Sequence, residues 1–189
     1  MGRPANPQTK ADLLQRCATY ILEHGLSTLS LRPLASELGV SPRLLLYHFG
    51  SKENLVTEVL DSIFQQQSLL FGLFQADLPF DERLDRLWAQ LTSPALKPFL
   101  RTLLEVELRA MDDDPTYSLH YSQFATNMLG GWLQLASTHL QDASLPVSRV
   151  LLSSLTGLLV IRYSTGDEQG SEEGYQALKT LLIGMGHLK

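Results

Sequence analysis

The sequence predicts an all-α protein with about nine helices. Apolar residues recur three and four positions apart in one segment after another, which is the spacing of a helix face, and no segment shows the strict alternation of a half-buried strand. Ser, Pro and Gly fall at the joints between those segments, where helices start and stop. At 189 residues the chain can bury a substantial core in one or two domains.

The opening GRPANP has two prolines and no periodicity, which predicts an irregular arm bearing Arg3. A first helix is predicted over residues 9–23, with Leu13, Leu14, Cys17, Ala18, Ile21 and Leu22 as its buried stripe. Gly25 suits the C′ position after it, and His24 reads as a surface residue beside the last carbonyls rather than a metal ligand. The stretch from Ser30 to Lys52, SLRPLASELGVSPRLLLYHFGSK, reads as two short helices and a tight turn. Leu31, Leu34, Ala35 and Leu38 share a face, with Ser30 placed to cap them through its hydroxyl. Gly39 stops that helix and Val40 plugs the turn into the core. Ser41-Pro42 then starts the second helix with a capping hydroxyl and a ring preset for the first helical position. Two helices crossing closely over such a turn make a helix-turn-helix, which usually lays its second helix in the major groove of DNA.

Phe49-Gly50 ends that helix, and Ser51 caps a long one over residues 51–74 with Leu55, Val59, Ile63 and Leu70 on one face. Asp81, after Leu78-Pro79-Phe80, is placed to cap a helix through Leu84, Leu87, Trp88 and Leu91. Ser93-Pro94 starts another, which tolerates Pro98 in its first turn and ends at Asp112-Asp113-Asp114-Pro115. From Pro115 a long helix runs to about Leu140. Gly130-Gly131 inside it costs roughly 1 kcal/mol each relative to Ala and points to a kink or to close packing. Residues 147–163 are apolar around much of a helix circumference and must be covered from more than one side. A polar loop over 164–170 leads to a last helix from about Ser171, with Leu178, Leu181, Leu182, Met185 and Leu188 spaced three or four apart.

The features running from Ala35 through Gly39-Val40-Ser41 to His48-Phe49-Gly50-Ser51-Lys52-Glu53 resemble the TetR family of bacterial transcriptional regulators, over about the first third of the chain. The resemblance implies a DNA-binding domain over 1–51 and a ligand-binding and dimerisation body over 52–189, with helix 51–74 connecting the two and the last two helices forming the dimer interface. It implies a ligand-responsive regulator, a repressor, bound to double-stranded operator DNA as a homodimer and released by a small, largely apolar effector. Two-fold symmetry makes that operator pseudo-palindromic. Where the family often has Thr-Leu-Tyr, this chain has Leu44-Leu45-Leu46, which removes hydroxyls and shifts base readout toward Arg43 and DNA shape.

Within the reading unit, Arg43 can address guanine bidentately, and Leu44 either touches a thymine methyl or belongs to the core. Tyr47, His48 and Lys52, at the far end of the second helix and the start of the next, are phosphate contacts by chemistry and by carry-over from the family. Arg32 serves similarly, Ser30 and Ser41 at the two helix starts complete the expected set, and Arg3 reaches along or into a groove if its arm is ordered. Residues 1–60 hold six Lys and Arg against five Asp and Glu, whereas residues 61–189 hold nine against fifteen. The net charge of −5 therefore does not exclude DNA, since a reading face needs only local positive charge.

The aromatic stripe Tyr121, Phe124, Met128 and Trp132 is either core or the wall of an effector pocket, and the resemblance favours the pocket. Glu105, with Arg101 and Arg109 four residues to either side, reads as a surface ladder; Glu107, among Leu103, Leu104, Ala110 and Met111, is either a carboxylate facing that pocket or one satisfied by a distant partner. Leu151, Leu155, Leu158, Leu178, Leu182 and Met185 are the expected dimer contacts. No cofactor and no metal is expected: the histidines at 24, 48, 120, 139 and 187 make no zinc or hydrolase motif, and Asp112 to Asp114 lacks the spaced oxygens of a calcium loop. Neither a secretory signal nor a membrane span is expected, and Cys17 is expected as a core thiol in a reducing cytoplasm. The alternative function is a helical sequestering protein, or a small enzyme on the same fold, without operator binding.

Overall fold

The computed structural model describes residues 7–72, 78–112, 115–139 and 145–184, with side chains over 10–67, 78–112, 121–131, 133–134 and 146–184. Among the described residues the chain is all-α: α1 (Pro7–His24), α2 (Leu31–Glu37), α3 (Pro42–Phe49), α4 (Lys52–Gly72), α5 (Phe80–Leu91), α6 (Lys97–Ala110), α7 (Pro115–His139), α8 (Leu145–Thr165) and α9 (Glu168–Gly184), with one 3-10 turn at Pro94–Leu96. None of these helices is long and apolar enough to cross a membrane. They group into two compact units, Met1–Leu70 with Pro98–Thr126 and Phe71–Lys97 with Asn127–Lys189.

In the first unit the predicted stripes are buried: Leu13, Cys17, Ala18 and Ile21 of α1, Leu34 and Ala35 of α2, Leu45 and Phe49 of α3, Leu55, Val59 and Ile63 of α4. Burial pushes the Cys17 thiol up to about 11, so it stays protonated and inert. Two features depart from expectation. Ser30 holds the extended N-cap backbone but its side chain makes no capping bond, so α2 starts on the Ser30 carbonyl alone, which accepts from Leu34 N at 3.1 Å. Glu105 pairs with Arg101 at 3.8 Å, as the four-residue spacing predicts, but it does more than form a ladder. Its carboxylate turns to the corner after α1 and accepts from the backbone N–H groups of Leu26 and of Ser27, the latter at 2.9 Å. Arg101 and Arg109, one turn before and after it on α6, donate to the carbonyls of Leu22 at 2.7 Å and Leu26 at 3.1 Å. Side chains of α6 thus satisfy the polar backbone groups that the end of α1 leaves without partners.

In the second unit α8 packs on α9, with Leu151, Leu155 and Leu159 buried at four-residue spacing on one side and Tyr175 and Leu182 on the other. A Cβ at Gly174 would lie 2.6 Å from Leu158 Cδ2, so glycine there permits the close approach. Trp88 of α5 stacks on Tyr175 with ring centroids 4.8 Å apart, and its indole N–H donates to Glu172 at 2.7 Å. Asp85 accepts from Tyr175 Oη at 2.8 Å and from Lys179 Nζ at 2.7 Å.

Three more boundaries differ. The cap residue of α5 is Pro79, and Asp81 lies inside its first turn. The polar loop predicted over 164–170 shrinks to the corner between α8 and α9, because Gly166 turns the chain at φ +77° and Asp167 Oδ1 accepts from Gly170 N at 2.9 Å as a cap. Finally α7 runs unbroken through Gly130, where an added Cβ would meet nothing within 4 Å among the described residues, so close packing within them does not explain that glycine.

Candidate nucleic-acid interface

The turn between α2 and α3 sets the reading helix. Gly39 adopts φ +66°, and Val40, half-buried, donates its N–H to the Ala35 carbonyl at 2.9 Å. Ser41 Oγ then accepts from Leu44 N at 3.1 Å, and Pro42 fills the first turn of α3. With Leu45 and Phe49 buried, the 100° step of a helix turns Arg43 and Tyr47 to the opposite side. Arg43 is exposed and Tyr47 is 57% exposed.

Flanking them are Leu44, half-buried, and Leu46, 39% exposed. Leu46 was absent from the residues expected to contact DNA, although the same wheel that buries Leu45 and Phe49 turns it outward. His48 is half-buried, its ring edge-on to Tyr47 and to Phe49, and its Nδ1 is buried without a partner among the described residues. Arg32 is exposed at the start of α2 and Lys52 is half-buried at the start of α4. Among the described residues none of Arg32, Arg43 and Lys52 has a carboxylate partner, whereas Lys10 is paired with Glu58 at 2.8 Å. The three cations on or beside α3 thus differ from Lys10 in having no carboxylate partner among the described residues. Ser30 and Ser41 are exposed, the second with its hydroxyl occupied as a cap, and Arg3 lies outside the described residues.

A cavity opens in the same unit. Tyr121 and Phe124 of α7 line it together with Lys52, Val56 and Leu60 of α4 and Arg109 of α6. Glu107 is not in its wall: it lies on the other side of α6 from Glu105 and Arg109, and burial holds its carboxyl above the ordinary value. Met128 is buried within the second unit, and the side chain of Trp132 lies outside the described residues.

Of the expected dimer residues, Leu151, Leu155 and Leu182 are buried inside the second unit, Leu158 and Leu178 are half-buried, and Met185 lies outside the described residues. The large apolar side chains that α8 and α9 expose are Val150, Val160, Ile161, Leu181 and Ile183.

Residues 13–59, from α1 to the first half of α4, match the sequence profile of the bacterial regulatory proteins of the tetR family. Over that segment the chain is similar to the tetR family. Over 73 residues the chain is 37% identical to the HTH-type transcriptional repressor KstR2 of Mycolicibacterium smegmatis, an alignment that covers 38% of this chain and about a third (34%) of that protein. The fold is shared more widely. A TetR-family regulator from Cytophaga hutchinsonii superposes with a TM-score of 0.76 at 17% identity, covering 94% of each chain. A transcriptional regulator from Saccharomonospora viridis, solved in complex with choline, superposes with a TM-score of 0.68 at 19% identity, covering 94% of this chain and 97% of that one.

Proposed function

We propose that the protein is a ligand-responsive transcriptional regulator, a repressor that binds a pseudo-palindromic operator as a homodimer and leaves it when a small, largely apolar molecule binds. In this reading residues 1–51 read DNA and residues 52–189 take the effector and the partner subunit. The observation that carries it is the exposed face of α3. Arg43 and Tyr47 are exposed on the side opposite the buried Leu45 and Phe49, and Arg32, Arg43 and Lys52 have no carboxylate partner among the described residues. Arg43 would read a guanine edge, Leu44 and Leu46 would touch thymine methyls, and Lys52 would hold a phosphate. Apolar side chains turned outward on α8 and α9 favour pairing with a second copy. The name of KstR2 as a repressor favours repression, and choline in the Saccharomonospora viridis regulator favours a small effector.

The test is a mobility shift with the DNA upstream of the protein's own gene, at two salt concentrations, alongside sedimentation. Lys52→Ala should weaken binding to all DNA alike and lower the salt slope by about one, as for a lost phosphate contact. Arg43→Ala should instead relax preference at one position per half-site, at about 1–3 kcal/mol. Equal losses on operator and random DNA in Arg43→Ala would remove it as a base reader, and a chain that binds no DNA leaves a sequestering protein.

A further inference from the structure

We infer that the cavity of the first unit is a binding site for a small monocarboxylate with a slender apolar tail. Three observations carry this. The first is charge: the wall holds Lys52 and Arg109 against one carboxylate, Glu53, so an occupant with a single negative charge leaves the site neutral. Lys52 has no carboxylate partner among the described residues. Arg109 spends one donor on the Leu26 carbonyl and lies 5.5 Å over the Tyr121 ring; a guanidinium has five N–H donors, enough to serve a carboxylate as well. The second is lining: Leu29, Val56, Leu60 and Phe124 give the rest of the wall no charge, which suits a hydrocarbon tail and disfavours a polyanion. The third is size, since the cavity volume of about 50 Å³ gives room for a few water-sized groups.

The site touches both the reading helices and their support. Leu26 and Leu29 belong to the segment that runs from α1 into α2, and Lys52 opens α4. A carboxylate drawn to Arg109 shares the guanidinium that holds the Leu26 carbonyl and so couples the site to the end of α1. This names the effector class for the function proposed above and rests on that reading only for its effect on DNA.

The experiment is calorimetry on the full chain with hexanoate, hexanamide and hexylamine, repeated on Thr57→Phe. Thr57 lies in the cavity wall and is half-buried, so a larger side chain there takes up the space that the tail would occupy. Hexanoate should bind, at least about tenfold tighter than hexanamide, the ratio expected when a charge-assisted hydrogen bond is lost. Hexylamine should show no heat, and Thr57→Phe, folded by circular dichroism, should lose the hexanoate signal. No binding of hexanoate, equal binding of acid and amide, or a folded Thr57→Phe that binds hexanoate as the parent does would each overturn the site. Hexanoate binding that Thr57→Phe abolishes but that leaves operator affinity unchanged supports the site and removes its place in the proposed regulation.

Discussion

The two units hold their helices by different means. In the first, side chains grip backbone: Arg101, Glu105 and Arg109 of α6 take the carbonyls and N–H groups at the end of α1, and Arg16 donates to the Leu38 carbonyl at the end of α2. In the second, side chains chiefly grip side chains, with Trp88, Tyr175, Glu172, Asp85 and Lys179 forming one cluster between α5 and α9 beside a grip on backbone by Tyr163, whose Oη donates to the Leu91 carbonyl at 3.2 Å. A side chain bound to backbone fixes the path of the chain itself, and its loss strands a polar group that no repacking can remove. A cluster of side chains resists by volume and stacking, and it relaxes when one member shrinks. The part that must present α3 in one orientation is built the first way.

Trp88→Ala should produce the largest loss, about 3–5 kcal/mol in denaturant unfolding, because it removes a buried indole together with its stack on Tyr175. If the cluster relaxes as described, Tyr175→Phe added to Trp88→Ala should cost less than it does alone. Glu105→Ala comes next, at about 1–3 kcal/mol, and hydrogen exchange should quicken at Leu26 and Ser27 more than elsewhere. Uniform acceleration across the chain would contradict a local backbone grip. Gly130→Ala should move the other way and stabilise by about 0.5–1 kcal/mol, since a methyl group there meets nothing among the described residues and glycine is the poorer helix former.

The smallest effects separate the units by pH. Burial raises the Glu107 carboxyl in the first unit, so its ionised form costs stability near neutrality and that cost fades as pH falls through its folded pKa. In the second unit, hydrogen bonds from Gln176 and Trp88 hold Glu172 below its ordinary value, so its contribution is present above the unfolded pKa and is lost as pH falls through the folded one. Glu107→Gln should therefore raise Tm at pH 7 with a gain that vanishes in acid, and Glu172→Gln should lower Tm at pH 7 with a loss that vanishes in acid. Parallel curves for the two variants would refute the contrast.

What could be read from the sequence follows the reach of each interaction. The turn from α2 to α3 is written in adjacent residues, so Gly39 at φ +66° and the Ser41 cap could be anticipated from local chemistry. The partner of Glu105 lies 79 residues away, and a spacing of four to Arg101 and Arg109 carries no sign of it. The apolar circumference of α8 was legible, but hydrophobicity alone could not say that Leu151 and Leu155 turn inward while Val150, Val160 and Ile161 turn outward. Cavities are the least legible, since the one bounded by Lys52, Arg109 and Phe124 is made of residues distributed over α4, α6 and α7.

Gly25 is buried at φ +85°, and a side chain there would begin 2.6 Å from Glu105 Oε1. Two independent constraints therefore fall on one codon. Every missense change of that codon introduces a Cβ, so in a selection for null alleles of this gene, lesions at Gly25 should accumulate although the residue is far from the exposed face of α3. A shorter residue at Glu105 would restore the space but leave the positive φ and strand the N–H groups of Leu26 and Ser27, so such alleles should resist suppression by a single change there.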